Sequence, residues 1–302
     1  AKQSDKVVRY FEILKEKYPD LVVPLDKSVE IGAAYIAMRD FERGLQVLKA
    51  TTEASFNVDS QVGGALDSNG EVAASAQYMR NLLALYPDVQ AVQNATYGLA
   101  QHLADLAKRA HEDEALKKQK LQKVGLLDDA IRVFWEFMGL YPDNPTTDEA
   151  AFALSNTYLS REAHAETMGL TERFRKIFPT SSYLDAYEYI QALAAFALEK
   201  YSEAMRLCRQ VAEGKYFNER KEKVESTNKD LAVFIMGQIH HALGEAAKAL
   251  DRYKTVEEKF PDAREAILNF QRVAMTVPEV TTVKPGELTQ VKVSFRNVTD
   301  AA

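Results

Sequence analysis

Apolar residues recur at spacings of three and four along most of the chain, which is the period of an amphipathic helix. The clearest case is residues 231–262, LAVFIMGQIHHALGEAAKALDRYKTVEEKFPD, which predict two helices joined by a tight turn at Gly244. Gly237 and Ala249 are small residues placed where these two helices cross, so the backbones can approach closely. Pro261 ends the pair, because proline cannot continue a helix and biases the preceding residue out of the α region.

The same closing signal, an aromatic residue followed by proline, recurs along the chain. It occurs at Tyr18-Pro19, Tyr86-Pro87, Tyr141-Pro142, Phe178-Pro179 and Phe260-Pro261. Pro19 and Pro87 are 68 positions apart, which is twice a unit of about 34 residues. The interval of 55 between Pro87 and Pro142 requires an insertion. The regular spacing indicates an internal repeat.

This order of small residue, turn, small residue, aromatic and proline resembles the tetratricopeptide (TPR) repeat, a unit of about 34 residues. The resemblance covers roughly residues 5–262 and is most specific over 25–51 and 231–262. It implies an all-α fold, a TPR-like α-α superhelix built as a solenoid of helical hairpins, with a short C-terminal β-strand tail. We therefore expect a TPR-like helical repeat domain over 1–276 and a separate tail over 277–302.

Three stretches interrupt the repeat. Residues 56–70 contain a glycine pair and favour a loop or a short helix, because two glycines inside a helix cost about 2 kcal/mol relative to two alanines. Residues 111–125 predict a solvated extension of the preceding helix, with Asp113 and Lys117 as an i,i+4 ion pair. Residues 215–230 predict a polar linker or a helix extension.

The hydrophobic period changes from helical to alternating near the C-terminus. We expect a last helix over 262–275, and then residues 289–298 alternate apolar and polar positions, which is the strand pattern. The V-x-P-G-E turn leading into V-x-V-x-F is similar to β-domains that follow helical repeats in large bacterial alpha-macroglobulin-like and cell-envelope proteins. That resemblance implies that 277–302 is the truncated start of an Ig-like β-sandwich, with an extended tail as the alternative. It also implies a periplasmic or cell-envelope location.

Composition narrows the function. The 302 residues carry a net charge of −6 with both signs mixed throughout, which disfavours nucleic acid as a partner because no basic block is present. Cys208 is the single cysteine, so an intrachain disulfide is excluded. Its place on an apolar helical stripe predicts a buried small hydrophobe. No apolar run approaches the ~18 residues of a membrane span.

Sequence signatures of catalysis are missing. The chain has no G-x-S-x-G, H-E-x-x-H, Walker or C-x-x-C motif, so we expect neither an enzyme nor a cofactor or metal site. His240 and His241 are adjacent, and on a helix they point about 100° apart, which prevents them from sharing a metal. Within the TPR pattern we expect His240 to be a structural residue in the place of an inward aromatic, and His241 to face the groove.

The TPR resemblance also implies a binding surface. In TPR arrays the first helices of the repeats line a concave groove, where peptides or partner helices bind. Carried over to this chain, the groove positions are Phe152, Asn156 and Leu159; Tyr189, Leu193 and Phe196; Phe234, Gln238 and His241; and Val29, Ala33 and Ile36. Co-chaperone TPR domains hold a C-terminal carboxylate with Lys, Asn and Arg at such places, and here only Asn156 matches.

The function implied is a non-enzymatic protein–protein interaction scaffold that binds a peptide or a partner helix in the concave groove. One alternative is a helical repeat part of a larger envelope protein or enzyme whose active part lies beyond residue 302. Another is a structural spacer. Groove chemistry separates the scaffold from the spacer, because a spacer has no reason to present aromatic side chains to solvent.

Overall fold

The computed structural model describes residues 2–272, 274–276 and 294–296. Helices dominate these residues, with four short strands beside them. The helices are α1 (Lys2–Lys17), α2 (Leu25–Ala37), α3 (Phe41–Ser68), α4 (Val72–Leu85), α5 (Gln90–Arg109), α6 (Glu114–Lys118), α7 (Lys123–Leu140), α8 (Thr147–Ser160), α9 (His164–Ile177), α10 (Leu184–Ala197), α11 (Tyr201–Glu213), α12 (Lys229–Ala242), α13 (Ala246–Val256) and α14 (Pro261–Gln271). The strands are β1 (Lys215–Phe217), β2 (Lys223–Glu225), β3 (Ala274–Thr276) and β4 (Ser294–Arg296).

The chain forms two compact units, one ending at Glu162 and the other beginning at Ala163. In the first unit α1 packs on α2, α2 on α3, α3 on α4, α5 on α7, and α7 on α8. In the second unit each helix from α9 to α14 packs on the next one along the chain. This succession of helical hairpins confirms the predicted all-α, TPR-like fold class. The last helix of the first unit is α8, and the first helix of the second unit is α9.

The α12–α13 hairpin has the predicted turn and crossing. Gly244 follows α12 in the turn with a φ of +73°. Its N–H donates to the His241 carbonyl at 3.0 Å, and the N–H of Glu245 donates to the His240 carbonyl. A Cβ on Gly237 would lie 2.7 Å from Cε1 of Tyr253. Glycine is therefore what allows the Tyr253 ring to lie against the backbone of α12.

The same left-handed turn closes two other hairpins without glycine. Arg39 (φ 65°) follows α2 and Glu199 (φ 59°) follows α10. The bond from Lys200 N to the Ala195 carbonyl, 2.9 Å, repeats the one that follows Gly244. A side chain in this conformation costs about 1–2 kcal/mol, so tertiary packing holds these turns in place.

The helix α3 is longer than the glycine pair predicts. It continues through Gly63 and ends at Ser68, and Gly70 follows in the turn with a φ of +79°. A Cβ on Gly63 would lie 2.5 Å from Sδ of Met79 on α4, and the Ser75 hydroxyl donates to the Gly63 carbonyl at 2.8 Å. The expected loop or short helix is wrong, because the close packing of α4 on this glycine offsets its poor helix propensity.

The insertion at 111–125 is a separate short helix, so the expected helix extension is wrong. Asp113 caps α6 by accepting from Ala115 N at 2.9 Å. Lys117 forms its ion pair with Glu114 and not with Asp113 as expected. Leu116 is fully buried, and the Gln119 amide donates to the Gly70 carbonyl at 2.6 Å. The insertion therefore packs over the turn between α3 and α4.

The insertion at 215–230 is also different from its prediction. β1 and β2 pair antiparallel, with Tyr216 opposite Val224. The expected polar linker or helix extension is wrong, because buried polar contacts described below attach this β-hairpin to α10.

At the C-terminal end, β3 and β4 pair antiparallel with Met275 opposite Phe295. The predicted strand is present at Ser294–Arg296, and its partner is a segment that we expected to be the end of the last helix. The V-x-P-G-E turn lies outside the described residues, so the division at residue 276 and the Ig-like assignment remain predictions.

Candidate protein-interaction surfaces

One face of α10 carries three of the predicted groove residues, Tyr189, Leu193 and Phe196. Spacings of four and three place them on the same side of the helix. All three are partly buried, and they pack on a core cluster shared by α10, α11 and α12. Because none of the three is fully covered, α10 presents a row of half-buried apolar side chains.

Tyr189 lies beside Cys208 in this cluster. Burial raises the pKa of the Tyr189 phenol to about 12, so its hydroxyl stays neutral and able to donate a hydrogen bond over the physiological range. Burial also raises the pKa of the Cys208 thiol to about 12. Since that thiol is fully buried, the prediction of a small core hydrophobe rather than a reactive cysteine is confirmed.

The predicted groove residues of α12 are Phe234, Gln238 and His241. The Phe234 ring stacks on Phe260, with centroids 5.2 Å apart and planes inclined by 22°. His241 is exposed, and its ring centroid lies 4.5 Å from that of Phe270 on α14. Gln238 is partly exposed between them along the helix.

Because α10 and α12 contact each other, these two rows lie on neighbouring helices of the second unit. We call the six residues the aromatic row: Tyr189, Leu193, Phe196, Phe234, Gln238 and His241. No residue of the set is fully buried. That the row lines a concave groove remains a prediction.

In the first unit, Phe152 and Asn156 line a cavity of about 390 Å³ between α5, α7 and α8. The Asn156 amide nitrogen donates to the Phe152 carbonyl at 3.3 Å. Polar groups on the facing helix α5 include Gln101 and Asp105. Leu159 is partly buried one turn further along α8. The cavity combines an aromatic wall with amide groups that can bond a peptide backbone.

The predicted groove positions of the early repeat are all exposed. Val29 and Ile36 are 49% and 41% exposed on α2, and Ala33 between them is exposed too. This face of α2 is therefore apolar and open to solvent.

The two adjacent histidines differ in exposure, and the burial predicted for His240 is confirmed. His240 is buried, and its Nδ1 lies 2.5 Å from a carboxylate oxygen of Glu245, so it has a structural partner. Among the described residues, no three His, Cys, Asp or Glu side chains gather in a way that could hold a metal ion. Nor does any described helix combine the length and apolar character needed to cross a membrane.

A buried polar network that the sequence did not predict attaches the β-hairpin to α10. The Tyr216 hydroxyl donates to Glu188 at 2.5 Å, and Arg175 of α9 pairs with the other oxygen of that carboxylate. One turn earlier on α10, Asp185 accepts from the Ser226 hydroxyl at 2.7 Å. Both carboxylates are buried. The sequence feature that could have predicted this network is the pair Asp185 and Glu188, two acidic residues three positions apart on a mainly apolar helix.

The network also forms one wall of a cleft. Glu188, Gly214 and Tyr216 line an open cavity of about 590 Å³ together with residues of α11. A Cβ on Gly214 would lie 2.5 Å from the Gln210 carbonyl and 2.7 Å from the Tyr216 hydroxyl. Glycine at this position is therefore required for Tyr216 to reach its partners.

Comparison with known proteins finds similarity of structure and no match in sequence. No protein-family model matches the sequence, and no curated protein matches it. Among solved structures, MamA 41-end from Desulfovibrio magneticus RS-1 is 12% identical with a TM-score of 0.45, over 68% of this chain and 94% of that one. A Podosopora anserina putative kinesin light chain with nearly identical TPR-like repeats is 14% identical with a TM-score of 0.44, over 73% and 98%.

A tetratricopeptide repeat protein from Parabacteroides merdae ATCC 43184 is 12% identical with a TM-score of 0.40, over 88% of this chain and 98% of that one. These identities and TM-scores are too low to support an argument about this chain. Its TPR-like description therefore depends on the helical hairpins of its own structure.

Proposed function

We propose that this chain is a non-enzymatic protein-interaction scaffold that binds a peptide or an amphipathic helix of a partner protein. The observation that carries the proposal is the aromatic row on α10 and α12. Its three aromatic members, Tyr189, Phe196 and Phe234, are partly exposed. Aromatic anchors of this kind favour binding, because a partner can cover their remaining exposed ring surface with little loss of rotamer entropy.

The polar members of the row suit a peptide. Gln238 offers both a donor and an acceptor to a peptide backbone, and His241 is an exposed side chain of a type that can donate or accept a hydrogen bond. Tyr189 keeps a neutral hydroxyl. Five of the six side chains of the row are apolar or neutral polar groups, which favours recognition of a partner over catalysis.

The cavity beside Phe152 and Asn156 in the first unit is a second contact area of the same kind. Its amide and aromatic groups suit an extended peptide. The envelope location and the assignment of the tail to an Ig-like β-domain are further hypotheses, and they rest on the sequence resemblance alone.

The test begins with a peptide library displayed on phage and selected on the purified chain. Affinities of the selected peptides are then measured for the Tyr189→Ala/Phe234→Ala variant. We expect its affinity to fall by at least ~2 kcal/mol, as for central aromatic anchors. Circular dichroism checks that the variant remains folded.

The matched control is Ile177→Ala/Leu268→Ala, which removes two apolar side chains that are 57% and 61% exposed on α9 and α14. It should bind the selected peptides as the parent does. Equal affinities for the parent and the Tyr189/Phe234 variant would reject the aromatic row as the binding surface.

A further inference from the structure

The cleft between α11 and the β-hairpin carries an excess of positive charge. Arg206 and Arg209 are three residues apart on α11, and both are exposed and line the cleft. Lys215 of β1 lines it as well. Residues three apart share a helix face, so the two guanidinium groups are presented together.

These cations have few partners inside the protein. Within the described part of the chain, Arg209 makes no ion pair or hydrogen bond, and Arg206 bonds only the neutral side chain of Gln210, at 2.7 Å. Lys215 forms an exposed pair with Glu225 at 3.1 Å. Such exposed pairs contribute little, so Lys215 is also able to bind a new anion.

Two carboxylates face the same cleft, and they set the balance of charge. Glu188 is already engaged by Arg175 and by the Tyr216 hydroxyl. Glu213 is exposed and has no ion-pair partner within the described residues. The guanidinium groups of Arg206 and Arg209 have no ionic partner, and Glu213 is the one carboxylate among the described lining residues that could balance them. The cleft is therefore net positive in a chain of net charge −6.

We propose that this cleft is a second interaction site, which binds an acidic segment of a partner protein through Arg206 and Arg209. Arginine suits this role, because its planar guanidinium pairs with a carboxylate through two parallel hydrogen bonds. The free carboxylate of Glu213 favours a peptide, whose charges are separated, over nucleic acid, whose phosphates follow one another without interruption.

The cleft is held in shape before a ligand binds. Tyr216 and Ser226, both at the base of the β-hairpin, are tied to the buried carboxylates of α10, Glu188 and Asp185. A site whose walls are already ordered loses less conformational entropy on binding. The hairpin insertion therefore provides a fixed wall opposite the two arginines.

The experiment measures fluorescence anisotropy of a labelled ten-residue peptide of alternating Asp, Glu and Ser, with the complete chain at low salt. The matched peptide has Asn and Gln in place of Asp and Glu. We expect binding of the acidic peptide alone, weakened as salt is raised. The Arg206→Gln/Arg209→Gln variant should lose affinity by about tenfold or more, since two charge-assisted contacts are removed.

The control is Arg252→Gln/Lys254→Gln, which removes two positive charges from α13 in the same unit and should bind the acidic peptide as the parent does. Equal loss in both variants would show a general charge effect and overturn the proposal. Equal binding of the acidic and neutral peptides would overturn it, and so would preferential binding of a single-stranded oligonucleotide of equal charge.

Discussion

The α12–α13 hairpin and the β-hairpin insertion at 215–225 hold their places in the second unit by different means. The α12–α13 hairpin is held by apolar packing at a close crossing, with Gly237 against the Tyr253 ring. The β-hairpin is held by two buried carboxylates of α10 that accept hydrogen bonds from it. Apolar packing leaves a periodic pattern in the sequence, whereas polar anchoring depends on pairs that are distant in the chain.

The largest effect is expected from removal of the polar anchor. Glu188→Ala deprives Arg175 and Tyr216 of a buried partner and should lower the free energy of unfolding by about 3 kcal/mol. Urea denaturation followed by circular dichroism measures this change. Glu172→Ala, which removes an exposed carboxylate paired with Lys176, is the control and should leave the midpoint nearly unchanged. Equal midpoints for the two variants would show that Glu188 is not an anchor.

The apolar crossing gives the next effect. Gly237→Leu forces a side chain into the space of the Tyr253 ring and should destabilise the chain by about 2 kcal/mol. Gly169→Leu is the matched control, because a Cβ on Gly169 meets nothing within 4 Å. Thermal melting of the two variants compares them directly. A midpoint for Gly237→Leu equal to that of the parent would place this glycine outside the helix contact.

A smaller change tests the polar anchor from the side of the β-hairpin. Tyr216→Phe removes one hydroxyl and leaves the apolar ring in place, so it should cost about 1.5 kcal/mol. The loss is expected to be local, because the hairpin is attached a second time through Ser226. Amide hydrogen exchange at β1 and β2 should speed up while exchange in α12 and α13 stays the same. Faster exchange in α12 would show that the two regions are not independent.

The smallest effect concerns the turns. Glu199→Gly relieves a left-handed side chain but adds freedom to the unfolded chain, so it should stabilise by about 0.5 kcal/mol. Gly244→Ala makes the opposite change at the equivalent turn of α12–α13 and should destabilise. Chemical denaturation of the two variants measures the sign of each change in the free energy of unfolding. A loss of stability in Glu199→Gly would mean that the Glu199 side chain makes a stabilising contact of its own.

The two candidate sites of the second unit, the aromatic row and the cleft beside Tyr216, also differ in how far the sequence predicts them. The TPR resemblance named Tyr189, Leu193 and Phe196 as groove positions, and helical spacing places them on one face, because positions three and four apart are neighbours on any helix. The cleft beside Tyr216 was missed. Its wall depends on the bond between Tyr216 and Glu188, which are 28 residues apart, and no local pattern records such a pair.

The sequence by itself determined the succession of helices and the hairpin turns, and it determined which small residues lie at the crossing of α12 and α13. These follow from short-range periodicity and from the backbone preferences of glycine and proline. Tertiary structure alone decided the rest. The helix α3 continues through Gly63 because Met79 packs against it, and α6 is folded back because Gln119 bonds the Gly70 carbonyl. Residues 215–225 form a β-hairpin wall because α10 offers buried hydrogen-bond acceptors. The sequence does not indicate such polar pairs, because folding brings together residues that are distant in the chain.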